Sequence, residues 1–121
     1  MSKQIVSEIP NRDAFFHLLK HNPGLIVIKL GAEWCGPCKQ IKNVVHAFYA
    51  SSPPEVVCAD IDVDQSFDFY AFLKSKKMVN GIPVLLCYKN HRSHRRALHR
   101  YNNGLPNLIR GHQIVKHNQR H

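Results

Sequence analysis

The run Leu25-Ile26-Val27-Ile28-Lys29-Leu30 constrains the fold more than any other stretch of this chain. It is nearly unbroken in apolar side chains, it has the length of a strand, and Pro23-Gly24 stops the segment before it. Strands read this way when the sheet is covered on both faces, because both sets of alternating side chains are then buried. The run therefore predicts a central strand with helices on either side, and Lys29 is the anomaly within it.

The neighbouring segments alternate between strand and helix patterns. Apolar residues three and four apart predict helices, and short apolar or β-branched runs predict strands. The order β-α-β-α-β-α-β-β-α predicts an α/β fold with a mixed sheet and right-handed crossovers between its parallel strands. The predicted strands cover residues 3–9, 25–30, 55–63, 84–88 and 97–101, and the predicted helices cover 11–22, Cys35 to Ser51, 67–76 and a weak final segment carrying Leu105, Leu108, Ile109 and Val115.

The length of 121 residues fits one domain, which we assign to residues 1–121. There is no apolar run near the roughly 20 residues that a membrane helix needs, and no apolar signal segment follows the first residues. We therefore expect a soluble cytoplasmic protein. In a reducing compartment, four cysteines are a poor disulfide scaffold and a better redox or metal device.

Charge is distributed unevenly along the chain. All eight acidic residues lie in the first 68 positions, whereas eleven of the 17 Lys and Arg residues follow them. The stretch 89–96 predicts a basic hairpin, and a basic C-terminal helix is predicted after it. The cationic residues that would meet nucleic acid or an acidic protein partner are Lys89, Arg92, Arg95, Arg96 and Arg100. The alternative is a solvated loop that keeps the protein soluble, which we favour because charge runs are usually solvated. The stretch 89–96 also holds no aromatic residue for base stacking, which argues against binding of single-stranded nucleic acid.

The segment Trp34-Cys35-Gly36-Pro37-Cys38 carries the strongest chemical signal. A C-x-x-C at the first turn of a helix puts two sulfurs within disulfide reach, and unpaired backbone N–H groups there favour a thiolate at Cys35. Cys35 is therefore the predicted nucleophile. Cys38 is the predicted resolving thiol, which attacks the mixed disulfide and releases the reduced partner.

A zinc site is the competing interpretation of the cysteine pair. Structural zinc needs four ligands, and no second C-x-x-C accompanies this pair, so we expect no metal. Cys58 and Cys87 stand alone in apolar strands and are predicted to be buried core residues.

With these motifs in view, the chain resembles the thioredoxin family. The segment from Ala32 to Lys39 has the form found in thioredoxins proper, and Val63-Asp64-Gln65 and Gly81-Ile82-Pro83-Val84 extend the similarity. The resemblance implies the thioredoxin fold and a cis Pro83 facing the cysteines. It also implies that a shallow apolar groove binds an extended substrate segment. The residues that it assigns to this groove are Trp34, Gly36, Pro37, Ile82, Pro83 and Gly104, with Asn103 beside Gly104.

The sequence departs from that family at one charged position. Thioredoxins usually carry a buried Asp six residues before the first Cys, paired with a Lys on the neighbouring strand, and here those positions hold Lys29 and Asp60. We predict that the exchanged charges still pair and tune proton transfer at Cys38, because a lone buried charge costs several kcal/mol, on the order of 3–5. The alternative is that Lys29 extends its amine to solvent.

These observations favour a protein-disulfide reductase without metal or organic cofactor. By resemblance, an NADPH-dependent thioredoxin reductase would supply its electrons. One alternative is a disulfide oxidase or isomerase. Another is a non-catalytic adaptor that binds nucleic acid or acidic partners through its basic C-terminal half.

Overall fold

The computed structural model describes residues 3–89 and 113–118, which form five strands and three helices. The predicted α/β architecture is confirmed: a mixed sheet has helices on both of its faces. In chain order the elements are β1 (Ile5–Val6), α1 (Arg12–Lys20), β2 (Leu25–Gly31), α2 (Gly36–Ala50), β3 (Val56–Asp62), α3 (Phe67–Ser75), β4 (Val84–Lys89) and β5 (Gln113–Asn118).

The strand β2 occupies the centre of the sheet, as its apolar run predicts. The order across the sheet is β1-β3-β2-β4-β5. The strand β2 pairs in parallel with β3 and antiparallel with β4. All seven of its residues are buried, so both of its faces are covered.

Alternate residues of β2 pack into two different hydrophobic cores, one on each face of the sheet. Ile26, Ile28 and Leu30 pack in the cluster that includes Phe15 of α1 and Phe69 of α3. Leu25 and Val27 pack in the cluster that contains Ile41, Val45 and Tyr49 of α2. Because side chains alternate along a strand, Lys29 shares the α2 face with Leu25 and Val27.

The two remaining cysteines lie on the strands that flank β2. Cys58 in β3 and Cys87 in β4 are both free and buried, as predicted. Each is opposite Val27 in the register, on either side of the central strand. An intervening strand therefore separates the two thiols.

The end of the chain differs from the prediction. Gln113–Asn118 form a strand parallel to β4, with Val115 beside Leu86, so the assignment of Val115 to a helix is wrong. Ile114 and Val115 are adjacent β-branched residues, which favour a strand, and Gly111 interrupts the weak helical spacing before them. The predicted strand at 97–101 and the helical positions Leu105, Leu108 and Ile109 lie outside the described residues.

The Tyr49 hydroxyl links α2 to the sheet. It contacts the carbonyl oxygens of Val27 in β2, at 3.2 Å, and Ala59 in β3, at 2.8 Å. We expect Tyr49→Phe to lower the free energy of unfolding by about 1 kcal/mol, because it removes a buried hydrogen bond at nearly constant volume. Urea denaturation measures this. Tyr70→Phe, on a half-buried residue of α3, is the matched control and should change stability by less than about 0.5 kcal/mol; equal effects would contradict the link.

Candidate active site

The cysteine pair lies at the junction of β2 and α2, where the sequence places it. Cys35 and Cys38 form a disulfide, with their Cα atoms 5.3 Å apart. Cys35 is the N-cap of α2, and Pro37 occupies the first turn, where a missing N–H costs nothing. Both cysteines are buried in this oxidised state.

The start of α2 places positive potential on the Cys35 sulfur. The backbone N–H of Cys38 donates to Cys35 Sγ at 3.2 Å, so the side chain caps the helix. The 15-residue helix also directs the positive end of its dipole at this point. Both effects favour the thiolate over the thiol at Cys35, as a nucleophile requires.

Lys29 and Asp60 lie next to each other beneath the pair. The parallel register of β2 and β3 aligns the two residues, and Lys29 Nζ is 3.6 Å from Asp60 Oδ1. The Lys29 side chain is only 6% exposed and that of Asp60 is 27% exposed. The predicted pairing of exchanged charges is therefore confirmed, and Lys29 does not extend to solvent.

His46 of α2 is a further partner of Asp60, and it is not among the site residues predicted from the sequence. Its Nε2 is 2.7 Å from Asp60 Oδ2, and its side chain is 40% exposed. The available signal was helical spacing, because Cys38, Lys42 and His46 follow one another at four-residue intervals on α2. That spacing alone does not reveal a carboxylate on β3 as the partner.

Lys29, Asp60 and the predicted resolving cysteine face a common solvent-facing pocket of about 310 Å³. Cys38, Lys29 and Asp60 all line it. Gly31 also lines it, and a Cβ there would lie 3.3 Å from Cys38 Sγ and 3.8 Å from Lys29 Cε. The absence of a side chain at this position therefore lets the cysteine and the lysine approach the same space.

Trp34 stands beside the cysteines with its ring largely in solvent. It is 70% exposed, and its Nε1–H donates to Asp64 Oδ2 at 2.8 Å. The Asp62 carboxylate in turn accepts the backbone N–H of Asp64 at 2.8 Å. The loop after β3 thus orients an exposed indole next to Cys35.

The peptide bond between Ile82 and Pro83 is cis, as the family resemblance implies. Pro83 directly precedes β4, whose first residue, Val84, pairs with Leu30 near the end of β2. The cis proline and the cysteine pair are therefore at the same end of the sheet. Gly36 and Pro37 are exposed at the start of α2, whereas Gly104 lies outside the described residues.

The cysteines outside the pair lack the features of a reactive thiol. Burial raises the pKa of Cys58, and a hydrogen bond with Ser52 and the charge of Lys3 only partly oppose this shift. Cys87 is buried in the same core. Among residues 3–89 and 113–118, no cluster of three or more His, Cys, Asp or Glu could hold a metal ion.

Of the five residues named for the predicted basic surface, only Lys89 lies in the described part of the chain. Lys89 ends β4 opposite Leu25, at the far end of the sheet from the cysteines. Arg92, Arg95, Arg96 and Arg100 lie outside the described residues. Within the described part of the chain, no helix is long and apolar enough to cross a membrane.

The chain is similar to known proteins in both sequence and fold. The Thioredoxin family model matches residues 6–109. The thioredoxin of Ophiophagus hannah is 40% identical over 67 residues, covering 55% of this chain and 59% of that protein. The thioredoxin of Chlamydia trachomatis is 33% identical over 75 residues, covering 62% and 69%. The solved thioredoxin of Malassezia sympodialis superposes with a TM-score of 0.60 at 20% identity, covering 88% of this chain and 96% of that one.

These similarities agree with the geometry of the site. The family match includes both cysteines of the pair and the cis Pro83. The aligned part spans about three fifths of the Ophiophagus hannah protein, and the low identity to the Malassezia sympodialis structure shows a shared fold alone. From the extent of the family match and from the site that it contains, we conclude that this chain belongs to the thioredoxin family.

Proposed function

We propose that this protein is a thiol-disulfide oxidoreductase that reduces protein disulfides by cycling Cys35 and Cys38 between two thiols and one disulfide. The observation that carries the proposal is the disulfide at the first turn of α2, with the Cys38 N–H directed at Cys35 Sγ. That donor and the helix dipole stabilise negative charge on the sulfur that must attack.

The reaction transfers two electrons from the cysteine pair to the substrate. The Cys35 thiolate attacks one substrate sulfur, a mixed disulfide forms, and the other substrate sulfur leaves as a thiolate and takes a proton from solvent. Cys38 then loses its proton and attacks Cys35 Sγ. The second substrate sulfur leaves and is protonated, so two substrate thiols and the Cys35–Cys38 disulfide are the products.

Lys29 and Asp60 tune the second step of this proposed reaction. The Lys29 ammonium lines the same pocket as Cys38 and favours its thiolate electrostatically. Asp60 receives the Cys38 proton through this pocket, which is polar and roomy enough to admit water. A cation beneath the site stabilises the reduced state relative to the disulfide. The pair is therefore more oxidising than one with an anion at position 29.

The substrate segment binds across the exposed face around Cys35. Trp34 offers an exposed aromatic surface, Gly36 and Pro37 leave the approach to the sulfur open, and Ile82 and Pro83 offer backbone groups at the same end of the sheet. An extended peptide pairs with such backbone groups as an added strand. Gly104 completes the groove in this proposal by family resemblance.

The finer assignments follow from the resemblance and from composition. An NADPH-dependent thioredoxin reductase supplies the electrons, the compartment is the cytoplasm, and the chain uses no cofactor beyond its cysteines. Lys89 and the arginines of the basic segment attract acidic partners. No observation on the described residues favours the adaptor or the oxidase and isomerase alternatives.

The first test is the loss of either cysteine. Cys35→Ser should abolish insulin reduction with dithiothreitol as electron donor, because serine cannot form the mixed disulfide. Cys38→Ser should accumulate a mixed disulfide on Cys35, visible by mass spectrometry. The control is Cys87→Ala, which removes a buried thiol outside the pair and should retain the activity. An adaptor would keep its binding with both cysteines of the pair replaced, and full insulin reduction by Cys35→Ser would refute the proposal.

The second test is the order in which the thiols react. After reduction of the native protein, we expect iodoacetamide to modify Cys35 at least about tenfold faster than Cys58, because only the thiolate reacts and burial raises the pKa of Cys58. Peptide mass spectrometry of timed samples gives the rates. Denaturant should remove the difference. Equal rates in the folded protein would contradict an activated thiol at Cys35.

The third test removes the buried cation. Lys29→Met keeps the length and apolar stem of the side chain, and we expect it to lower the reduction potential by on the order of 30 mV, about 1.4 kcal/mol. Equilibration with glutathione buffers measures the potential. The matched control is Lys42→Met, because Lys42 lines the same pocket but is exposed, and solvent screens its charge. A higher potential in Lys29→Met would reject this role for Lys29.

A further inference from the structure

Asp60 uses its two carboxylate oxygens for two different partners. Oδ2 is 2.7 Å from His46 Nε2, well within the range of a hydrogen bond. Oδ1 is 3.6 Å from Lys29 Nζ, beyond that range. The carboxylate is therefore held mainly by the histidine of α2, and its contact with the lysine of β2 is the looser of the two.

The looser contact belongs to the more deeply buried partner of Asp60. The Lys29 side chain is 6% exposed, whereas that of His46 is 40% exposed. A buried ammonium normally gains most from a close carboxylate, because water cannot compensate it. Here the carboxylate is directed at the histidine, so the charge of Lys29 is only partly neutralised.

We propose that His46 is a positioning residue that holds Asp60 back from full contact with Lys29 and so keeps the positive charge of Lys29 acting on Cys38. This inference rests on the proposed function, since it concerns the resolving step of that reaction. His46 itself does not touch the reacting sulfurs: Cys38 and Lys29 share the pocket wall, and His46 acts through Asp60.

Four other charged groups line the pocket with Lys29 and Asp60, and they also contribute to the electrostatic potential at Cys38. They come from α2, from the end of β3 and from the connection between β2 and α2, and they are Lys39, Lys42, Asp62 and Glu33. Two are cationic and two are anionic, so their formal charges cancel. Lys39, Lys42 and Glu33 are exposed and Asp62 is half-buried. Solvent screens these groups more than it screens the Lys29 ammonium.

Removal of His46 frees one oxygen of Asp60. The carboxylate can then turn and approach Lys29 more closely, which neutralises more of the ammonium charge. Cys38 loses part of its stabilisation as a thiolate. The disulfide should become more reducing, and the attack of Cys38 on the mixed disulfide should become slower.

The experiment compares the redox equilibrium of full-length variants with glutathione. We expect His46→Ala to shift this equilibrium toward the Cys35–Cys38 disulfide by about threefold to tenfold, or about 15 to 30 mV. His46→Gln restores an N–H donor near the position of Nε2 and should return the equilibrium to the wild-type value. His17→Gln, on the exposed face of α1, is the matched control for loss of a histidine and should cause no shift.

A second pair of variants tests whether Asp60 transmits the effect. In an Asp60→Asn background there is no carboxylate for His46 to hold, so adding His46→Ala should cause no further shift. A shift of the same size in that background overturns the proposal, because His46 would then act without Asp60. An unchanged equilibrium in His46→Ala, or a His46→Gln variant that behaves like His46→Ala, also overturns it.

The result separates this inference from the proposed function. If the wild-type protein fails to reduce insulin although its pair oxidises reversibly, the proposed function fails and the effect of His46 on the equilibrium can still be measured. If the wild-type protein reduces insulin and His46→Ala leaves both the equilibrium and the rate of mixed-disulfide resolution unchanged, the proposed function stands and the role of His46 fails.

Discussion

The parallel pairing of β2 with β3 is the interaction on which the candidate site depends. Its register sets Lys29 beside Asp60 on the sheet face that α2 covers. The same strand then continues through Gly31 into the turn that carries Cys35. A shift by one residue would turn Lys29 toward the opposite core, where no described partner could compensate its charge.

The buried charge of Lys29 is tolerated because the side chains linked to it become more exposed toward solvent. Lys29 is enclosed, Asp60 is partly exposed and His46 reaches the surface. A single enclosed ammonium would cost several kcal/mol, on the order of 3–5, without a partner. The series instead connects a buried cation to water through a carboxylate and an imidazole. This arrangement explains how a central strand can hold a lysine without exposing it.

Prediction from the sequence was most successful where local pattern and burial agree. The apolar run of β2, the spacing of α2 and the C-x-x-C motif at its start all appear in the structure as expected. The weak points were segments where local signals conflict. Val115 was assigned to a helix from spacing alone, whereas pairing with β4 makes it part of a strand. The bounds of the other elements moved by at most three residues, because helix and strand ends depend on capping and pairing.

The order of residues by itself determined the α/β pattern, the central strand and the reactive pair, because each depends on neighbours within a turn or a strand. Counting from the motifs also identified the exchange of Lys29 and Asp60. Only the tertiary structure decided that Asp60 is shared with His46, since that contact joins a helix to a strand 14 residues away. It also decided which oxygen of Asp60 lies closer to Lys29 and which lies closer to His46. Such distances follow from packing in three dimensions, and no periodicity along the chain encodes them.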